Sequence, residues 1–306
     1  MTTLRQLSYL VALSEELHFR RAAERVNVTQ PTLSMQIQEL ERRLEATLVE
    51  RNQGRVILTP LGGKIADRAK RVLSEIKEIE NLAASAQHGL HGTVRLGVPP
   101  TLGAYLLPHI VPSLHMKHPD LKLYVKEGKP IDLQAQLQAG SLDLIVSPLP
   151  LQKSDFFVER LFREPLRLVV ANDHDLATKA NIERKDLDGQ YVLTIERGHH
   201  LYEQVRILCE EFGATLLRDY EGTSLDTIRL MAGMGVGIAF LPALYIRSEI
   251  SERDKLKVLE FSANNLHRQI GLAWRGRSVQ SEQFSEIADL IRSICVDRFP
   301  EITVFR

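Results

Sequence analysis

The chain has 306 residues, 44% of them hydrophobic and 25% charged, with 39 basic residues balanced by 39 acidic ones. That length calls for two or three domains, and that composition excludes a disordered or membrane-embedded chain. With zero net charge, a nucleic-acid role cannot be argued from overall charge and requires a locally basic face.

The apolar run Leu7 to Leu13 is short. It is followed by Glu15 and Glu16, where a signal peptide would carry small residues. No window approaches the ~18 uninterrupted apolar residues of a spanning helix. The two cysteines, Cys209 and Cys295, are far apart, which argues against a disulfide-stapled scaffold. The expected compartment is the cytoplasm, with no membrane contact.

Leu4, Leu7, Leu10 and Val11 fall at helical spacing and predict an opening amphipathic helix. Arg20 to Val26 predicts a short second helix whose paired alanines permit close packing, and Asn27 to Thr29 a tight break. Thr29 is placed to cap a third helix that starts at Gln30-Pro31, where a proline costs little because its missing N–H is not needed. That helix runs to about Leu44 and is expected to bury Leu33, Ile37, Leu40 and Leu44, leaving Thr32, Ser34, Met35, Gln36 and Gln38 on other faces. Two short helices of this kind match helix-turn-helix geometry, and Gln, Ser and Thr can read base edges in a major groove about 12 Å wide.

Leu48 to Thr59 reads as strand, turn at Asn52 to Gly54, strand: a wing flanked by Arg51 and Arg55. Arginines there would reach phosphates or the minor groove, and Arg20 and Arg21 add positive charge on the second helix. A generic helical bundle with solvated arginines would also satisfy the hydrophobic pattern. It would not explain why cap, proline, polar face and basic hairpin occur in this order.

The run from Phe19 to Ser34 (FRRAAERVNVTQPTLS), then Leu40-Glu41 and Leu58 to Gly62 (LTPLG), resembles the LysR-type transcriptional regulators, and the likeness extends over the whole chain. The resemblance implies that Gln30, Pro31, Thr32, Ser34 and Met35 face the bases, with Arg51 and Arg55 on the backbone or in the minor groove. It also implies double-stranded promoter DNA and RNA polymerase as partners.

Leu61, Ile65, Ala69, Val72, Ile76, Ile79 and Ala83 recur at steps of 4, 4, 3, 4, 3 and 4 along one uninterrupted helical pattern. This seam is close to the 3.5 repeat of a coiled coil, and a helix of this length would span ~40 Å. The competing reading is a helix packed only on its own domain. Because the opposite faces carry Lys64, Arg68, Glu75, Lys77 and Glu78, the pattern favours self-association, with two reading helices on two half-sites.

After a hinge at Gly89 to Gly92, the pattern becomes α/β. Val94 to Val98, a helix from Thr101 through Leu114, Leu121 to Val125, a helix from Ile131 to Ala139 and Leu142 to Val146 predict one parallel lobe. Leu166 to Val170, Tyr191 to Ile195, helices at about His200 to Phe212 and Ser224 to Met234, and Gly237 to Leu241 predict a second. Arg268 to Trp274 and the helix Glu282 to Ile294 return to the first. The fold class is therefore α/β, a winged helix-turn-helix with a long linker helix followed by a two-lobed effector domain of periplasmic-binding-protein plan. The expected division is 1–60, 61–91 and 92–306, with one lobe at about 92–163 and 268–306 and the other at about 164–267.

Ligands in such sheets sit at the carboxyl ends of strands, where helix N-termini converge. The expected effector contacts are Pro100, Thr101, Leu102, Pro130, Ser147, His199, His200, Thr223 and Ser224. Unpaired N–H groups there suit a small anion or carboxylate, although Thr101 and Ser224 would equally serve as N-caps. Within the family, Glu196 to Leu201 (ERGHHL), Cys209 and Gly222 to Thr227 look most like the OxyR peroxide sensors. That likeness implies a reactive cysteine where this chain has His200, a resolving cysteine at Cys209 and a peroxide-binding threonine where it has Pro130. Imidazole forms neither a sulfenic acid nor a disulfide. Cys209 shares an apolar helix face with Val205, Leu208 and Phe212, and Cys295 stands beside Ile291 and Ile294, so both read as core thiols.

No paired ligand spacing predicts a metal site, and no nucleophile elbow, P-loop or zinc-protease motif predicts catalysis. No cofactor is expected. A redox regulator of altered chemistry remains an alternative, as does a two-lobed binding protein or enzyme, though the latter leaves residues 1–60 unexplained. The mechanism expected from the resemblance and the hinge is an effector-driven change of lobe angle in a dimer of dimers, which alters DNA bending.

Overall fold

The computed structural model describes the chain except residues 1, 53–54, 89–91, 153–154, 180, 219–221, 223, 252–253, 262–265, 277, 279 and 306, and except the side chains of 51–52, 55, 77–78 and 81–88. The described residues form two compact units, 1–87 with 138–141, and 88–137 with 142–306. The expected hinge falls largely outside the described residues.

In the first unit, helix α1 (Leu4–Glu16) opens on a capping box between Thr3 and Gln6. Helix α2 (Phe19–Arg25) buries Ala22 and Ala23. Helix α3 (Gln30–Leu44) starts as expected, with the Thr29 side chain accepting from the Thr32 amide and Pro31 in the first turn. Leu33, Ile37 and Leu40 are fully buried against Leu10, Leu13 and Ala22. Leu44, expected in this core, is 38% exposed. It is the last helical residue before Glu45 turns left-handed, so no further turn covers it.

Strands β1 (Val49–Asn52) and β2 (Arg55–Leu58) pair antiparallel as the wing. Glu41 fastens the wing to α3, since its Oε1 accepts from the amides of Leu48 at 2.8 Å and Val49 at 3.0 Å. Helix α4 (Pro60–His88) follows. A Cβ at Gly62 would lie 2.0 Å from the Leu48 carbonyl oxygen, so only glycine lets α4 leave this close to β1. Ala66 and Ala69 are buried, whereas Leu61, Val72 and Ile79 are exposed at 46%, 40% and 67%. The unit's own core therefore leaves part of the apolar seam uncovered; the side chain of Ala83 lies outside the described residues.

The second unit opens with strand β3 (Gly92–Val98), helix α5 (Pro100–Lys117), strand β4 (Leu121–Glu127), helix α6 (Pro130–Gln138) and strand β5 (Leu144–Leu149). β3 runs parallel to both β4 and β5, as the alternating pattern requires. Strand β6 (Phe156–Ala171) is much longer than the Leu166–Val170 segment expected from sequence. Glu159, Arg160, Arg163 and Glu164 interrupt the apolar pattern of its first half and hide it.

There follow β7 (Tyr191–Leu193), α7 (His200–Phe212), β8 (Thr215–Leu216), α8 (Leu225–Gly233), β9 (Ile238–Pro242), α9 (Ala243–Glu249), β10 (Leu256–Leu259), β11 (His267–Arg275), α10 (Ser281–Arg298) and β12 (Thr303–Val304). The sheet order is β4-β3-β5-β11-β6-β9-β7-β8, with β10 and β12 also paired to β6. Two large cores result, one around Leu96, Leu106, Trp274 and Ile291, the other around Leu168, Ile195, Leu208 and Phe240, with a smaller cluster around Leu133, Ile145 and Ala273. β6 gives Leu161 and Phe162 to the first core and Leu166 and Leu168 to the second, so one strand runs through both lobes. As expected, β11 and α10 return to the first lobe.

Candidate functional site

The first unit presents α3 with its apolar stripe inward and its polar start outward. Gln30 and Pro31 are exposed, Met35 is 59% exposed, and Thr32 and Ser34 are half-buried. Burial of Leu33, Ile37 and Leu40 forces this, because a helix can turn only one stripe to the core. Arg20 and Arg21 are exposed on α2, where Arg20 pairs with Glu24 at 3.0 Å and Arg21 Nη2 donates to the Glu16 carbonyl at 3.0 Å. The side chains of Arg51 and Arg55 lie outside the described residues, although their strands frame the expected tip. Arg42 and Arg43 both bind Glu39; hydrogen bonds from Arg42 and then Arg43 hold its carboxyl down at about 2.

In the second unit, α5 begins at Pro100 with Pro99 at the N-cap, so Thr101 lies within the first turn and does not cap the helix. Thr101 is buried, and Arg268 donates from Nη1 to its hydroxyl at 3.2 Å and from Nη2 to its carbonyl at 2.8 Å. Arg268 also donates from Nε to Glu164 at 2.7 Å, with both side chains sealed from solvent. The other Glu164 oxygen accepts from the Leu244 amide at 2.9 Å. One buried ion pair thus ties together the starts of α5 and α9 and strands β6 and β11.

Pro130 is buried at the start of α6, and its neighbour Lys129 reaches Glu196 at 3.0 Å. His199 occupies the N-cap position of α7 without making a side-chain cap bond. Gln204 Nε2 donates to the His267 carbonyl at 3.0 Å, which sets α7 beside β11 and hence beside Arg268. Ser224 caps α8 by accepting from the Thr227 amide at 3.3 Å, and the Glu196 amide donates to Gly222 at 2.9 Å. Lys129 and Gly222 thus both reach Glu196 just before α7, while Arg268 links the start of α5 to β11. Pro100 is half-buried at this edge, Leu102 is wholly within the first lobe's core, and Ser147 is buried with its hydroxyl donating to the Pro148 carbonyl at 3.3 Å. Thr223 lies outside the described residues.

Thr194 Oγ1, His199 Nε2, His200 Nδ1 and Gln204 Oε1 are buried without a hydrogen-bond partner among the described residues. Each unpaired buried polar atom costs about 1–3 kcal/mol, and these four fall within the stretch 194–204. Burial holds the His199 imidazole below its usual range; Glu196 opposes this and Lys129 reinforces it. Lys129, Glu164, Thr194, Glu196, Gln204 and Arg268 were missed by sequence reasoning. The one available signal was Arg268 inside an apolar strand.

Cys209 and Cys295 are free and buried. Burial and then the charge of Glu210 push the Cys209 thiol up to about 11; burial and then Glu164 push Cys295 up to about 12. Neither is a thiolate near neutral pH. Among the described residues, no three His, Cys, Asp or Glu side chains are grouped to hold a metal ion, and no helix is long and apolar enough to cross a membrane.

Residues 4–63 match the family model of the bacterial regulatory helix-turn-helix protein, lysR family, and residues 87–295 match that of the LysR substrate binding domain. The chain belongs to the LysR family of transcriptional regulators. It is a LysR-type DNA-binding regulator with an effector-binding domain, and members of this type bind promoter DNA and oligomerise. It is similar to the DNA-binding transcriptional dual regulator OxyR of Escherichia coli K12, 38% identical over 299 residues that cover 98% of each chain. It is also 33% identical over 295 residues to the HTH-type transcriptional regulator EstR of Acinetobacter baylyi, covering 96% and 97%. Among solved structures, a full-length OxyR variant from Pseudomonas aeruginosa aligns with a TM-score of 0.80 at 35% identity, covering 95% of each chain. A hydrogen peroxide-bound OxyR variant from Corynebacterium glutamicum aligns at 0.66 with 28% identity, covering 97% and 94%. The LysR identity accounts for both halves of the geometry, the outward face of α3 and the polar junction of the two lobes.

Proposed function

We propose that this LysR-type regulator reads promoter DNA with Gln30, Pro31, Thr32, Ser34 and Met35, aided by Arg20, Arg21, Arg51 and Arg55, under the control of a small effector held at the lobe junction. The polar start of α3 carries the DNA assignment, because burial of Leu33, Ile37 and Leu40 turns this end of the helix toward solvent. The uncovered apolar residues Leu61, Val72 and Ile79 support pairing of linker helices, and the family supports a dimer of dimers that contacts RNA polymerase in the cytoplasm. On this reading the functional division is 1–60, 61–91 and 92–306, and the chain is a regulator rather than an enzyme.

The effector completes the orphaned groups of Thr194, His199, His200 and Gln204, next to Thr101 and Pro130. An uncharged polar molecule fits this place better than a carboxylate. Arg268 and Lys129 already hold Glu164 and Glu196, and buried His199 is kept neutral. The peroxide-related names of several relatives suggest a second reading, redox sensing through Cys209, but a thiol raised to about 11 disfavours it. Selection of the full chain against random-sequence duplexes should enrich a dyad-symmetric site. The double variant Gln30→Ala/Ser34→Ala should lose roughly tenfold or more in preference for that site over arbitrary DNA while melting like the parent protein. An unchanged preference would overturn the assignment of α3 as the reading helix.

A further inference from the structure

Residues 1–60 contain eight arginines against seven glutamates, so the segment assigned to DNA carries almost no net charge. Much of this balance is local. Arg20 pairs with Glu24 at 3.0 Å. Arg25 pairs with Glu15 at 2.5 Å and with Glu16 at 3.1 Å. Arg21 Nε lies 3.9 Å from the Glu16 carboxylate, while its Nη2 donates to the Glu16 carbonyl. Each arginine of α2 is thus paired with an internal carboxylate, and Glu16 is shared by two of them.

We propose that Glu16 sets the strength of sequence-independent DNA binding, as an intramolecular counterion that competes with backbone phosphate for Arg21. The inference rests on the reading of Arg21 as a DNA-backbone contact. Phosphate contacts position a protein on any duplex, and they supply the sequence-independent part of its affinity. A carboxylate already engaged with the arginine must be displaced before phosphate takes its place, which lowers affinity for every sequence alike. Because specific and arbitrary sites share this penalty, Glu16 sets overall affinity and its salt dependence and leaves the preference among sequences to α3. Glu16 is suited to this role because its side chain is only 28% exposed at the end of α1, so it stays beside α2. Arg25 also holds Glu15, which in turn pairs with Lys70 of α4 at 3.4 Å. The packing of α1 on α2 therefore survives the loss of the Glu16 charge.

The test is fluorescence anisotropy of the full chain on a labelled duplex of arbitrary sequence across a salt series. Glu16→Gln should tighten binding by about two- to fivefold, the size of effect that a screened surface pair commands. Arg21→Gln should weaken binding and flatten the salt slope by about 0.9 per contact. The double variant should match Arg21→Gln alone. Glu16→Asp, whose shorter carboxylate does not span to both arginines, should tighten binding without changing net charge; it also serves if Glu16→Gln melts early. No tightening in either Glu16 variant overturns the proposal. A gain that persists without Arg21 also overturns it, since bulk charge would then be the cause. If Arg21→Gln binds as the parent does, the assignment of α2 to the DNA backbone fails instead.

Discussion

The two units solve opposite problems with the same side-chain types. In the first unit, charged groups sit at the surface and pair with sequence neighbours, as Arg20 does with Glu24 and Arg42 and Arg43 do with Glu39. In the second, the deciding charges are sealed, and their partners are remote: Arg268 meets Glu164 and Thr101 from distant parts of the chain. Exposed pairs stay exchangeable with solvent and with DNA because water screens them. A buried pair locks geometry, because either charge left alone in the core is costly. The helix-turn-helix unit therefore keeps its charged pairs exchangeable, while the second unit uses one arginine to brace α5, α9, β6 and β11 together.

The largest effect should come from breaking that brace. Arg268→Met leaves Glu164 buried without its partner, and urea unfolding should show a loss of about 3–5 kcal/mol. The double variant Arg268→Met/Glu164→Leu should recover much of this, whereas charge removal at Arg20 or Glu24 should change stability by well under 1 kcal/mol. An Arg268→Met protein as stable as its parent would erase the contrast between the two units.

A smaller effect concerns the thiols. Burial raises both cysteines, so the folded chain prefers the neutral form, and its stabilising contribution is complete below pH about 9. The contribution is lost as pH rises through about 11 for Cys209 and about 12 for Cys295. Thiol counting with iodoacetamide at neutral pH should find both protected in the folded protein and both reactive after denaturation. Rapid modification of Cys209 in the native state would reopen the redox reading.

The smallest effect should be an acid-side slope. Burial lowers the pKa of His199, so the unfolded chain takes up its proton first, and the stabilising contribution of neutral His199 fades as pH falls below about 6.5. His199→Asn should flatten the pH dependence of the melting temperature in that range. An unchanged slope would remove His199 from the set of desolvated groups at the lobe junction.

The legibility of the sequence follows the same division. The start of α3 was readable because a cap, a proline and an apolar stripe act over four to fifteen neighbouring residues. Leu44 was misjudged because a helix end has no local marker for what covers it. Half of β6 was hidden, since strand pairing with β11 and β12 tolerates charged residues that break an apolar run. At the lobe junction, the starts of α5 and α7 were located near Thr101 and His200 from pattern alone. The alternative reading of Thr101 as an N-cap fails because Pro99 takes that position, and nothing nearby in sequence announces its partner Arg268.

By itself, the sequence determined the winged helix-turn-helix, the linker helix, the alternating two-lobed fold and the core placement of both cysteines, because each depends on the local spacing of apolar, capping and turn residues. Only the tertiary structure decided that Arg268, Glu164 and Thr101 form one buried brace, that Glu16 is shared by Arg21 and Arg25, and that Thr194, His199, His200 and Gln204 keep buried polar atoms without partners among the described residues. Pairing and desolvation depend on which distant segments pack together, and no local spacing rule encodes that.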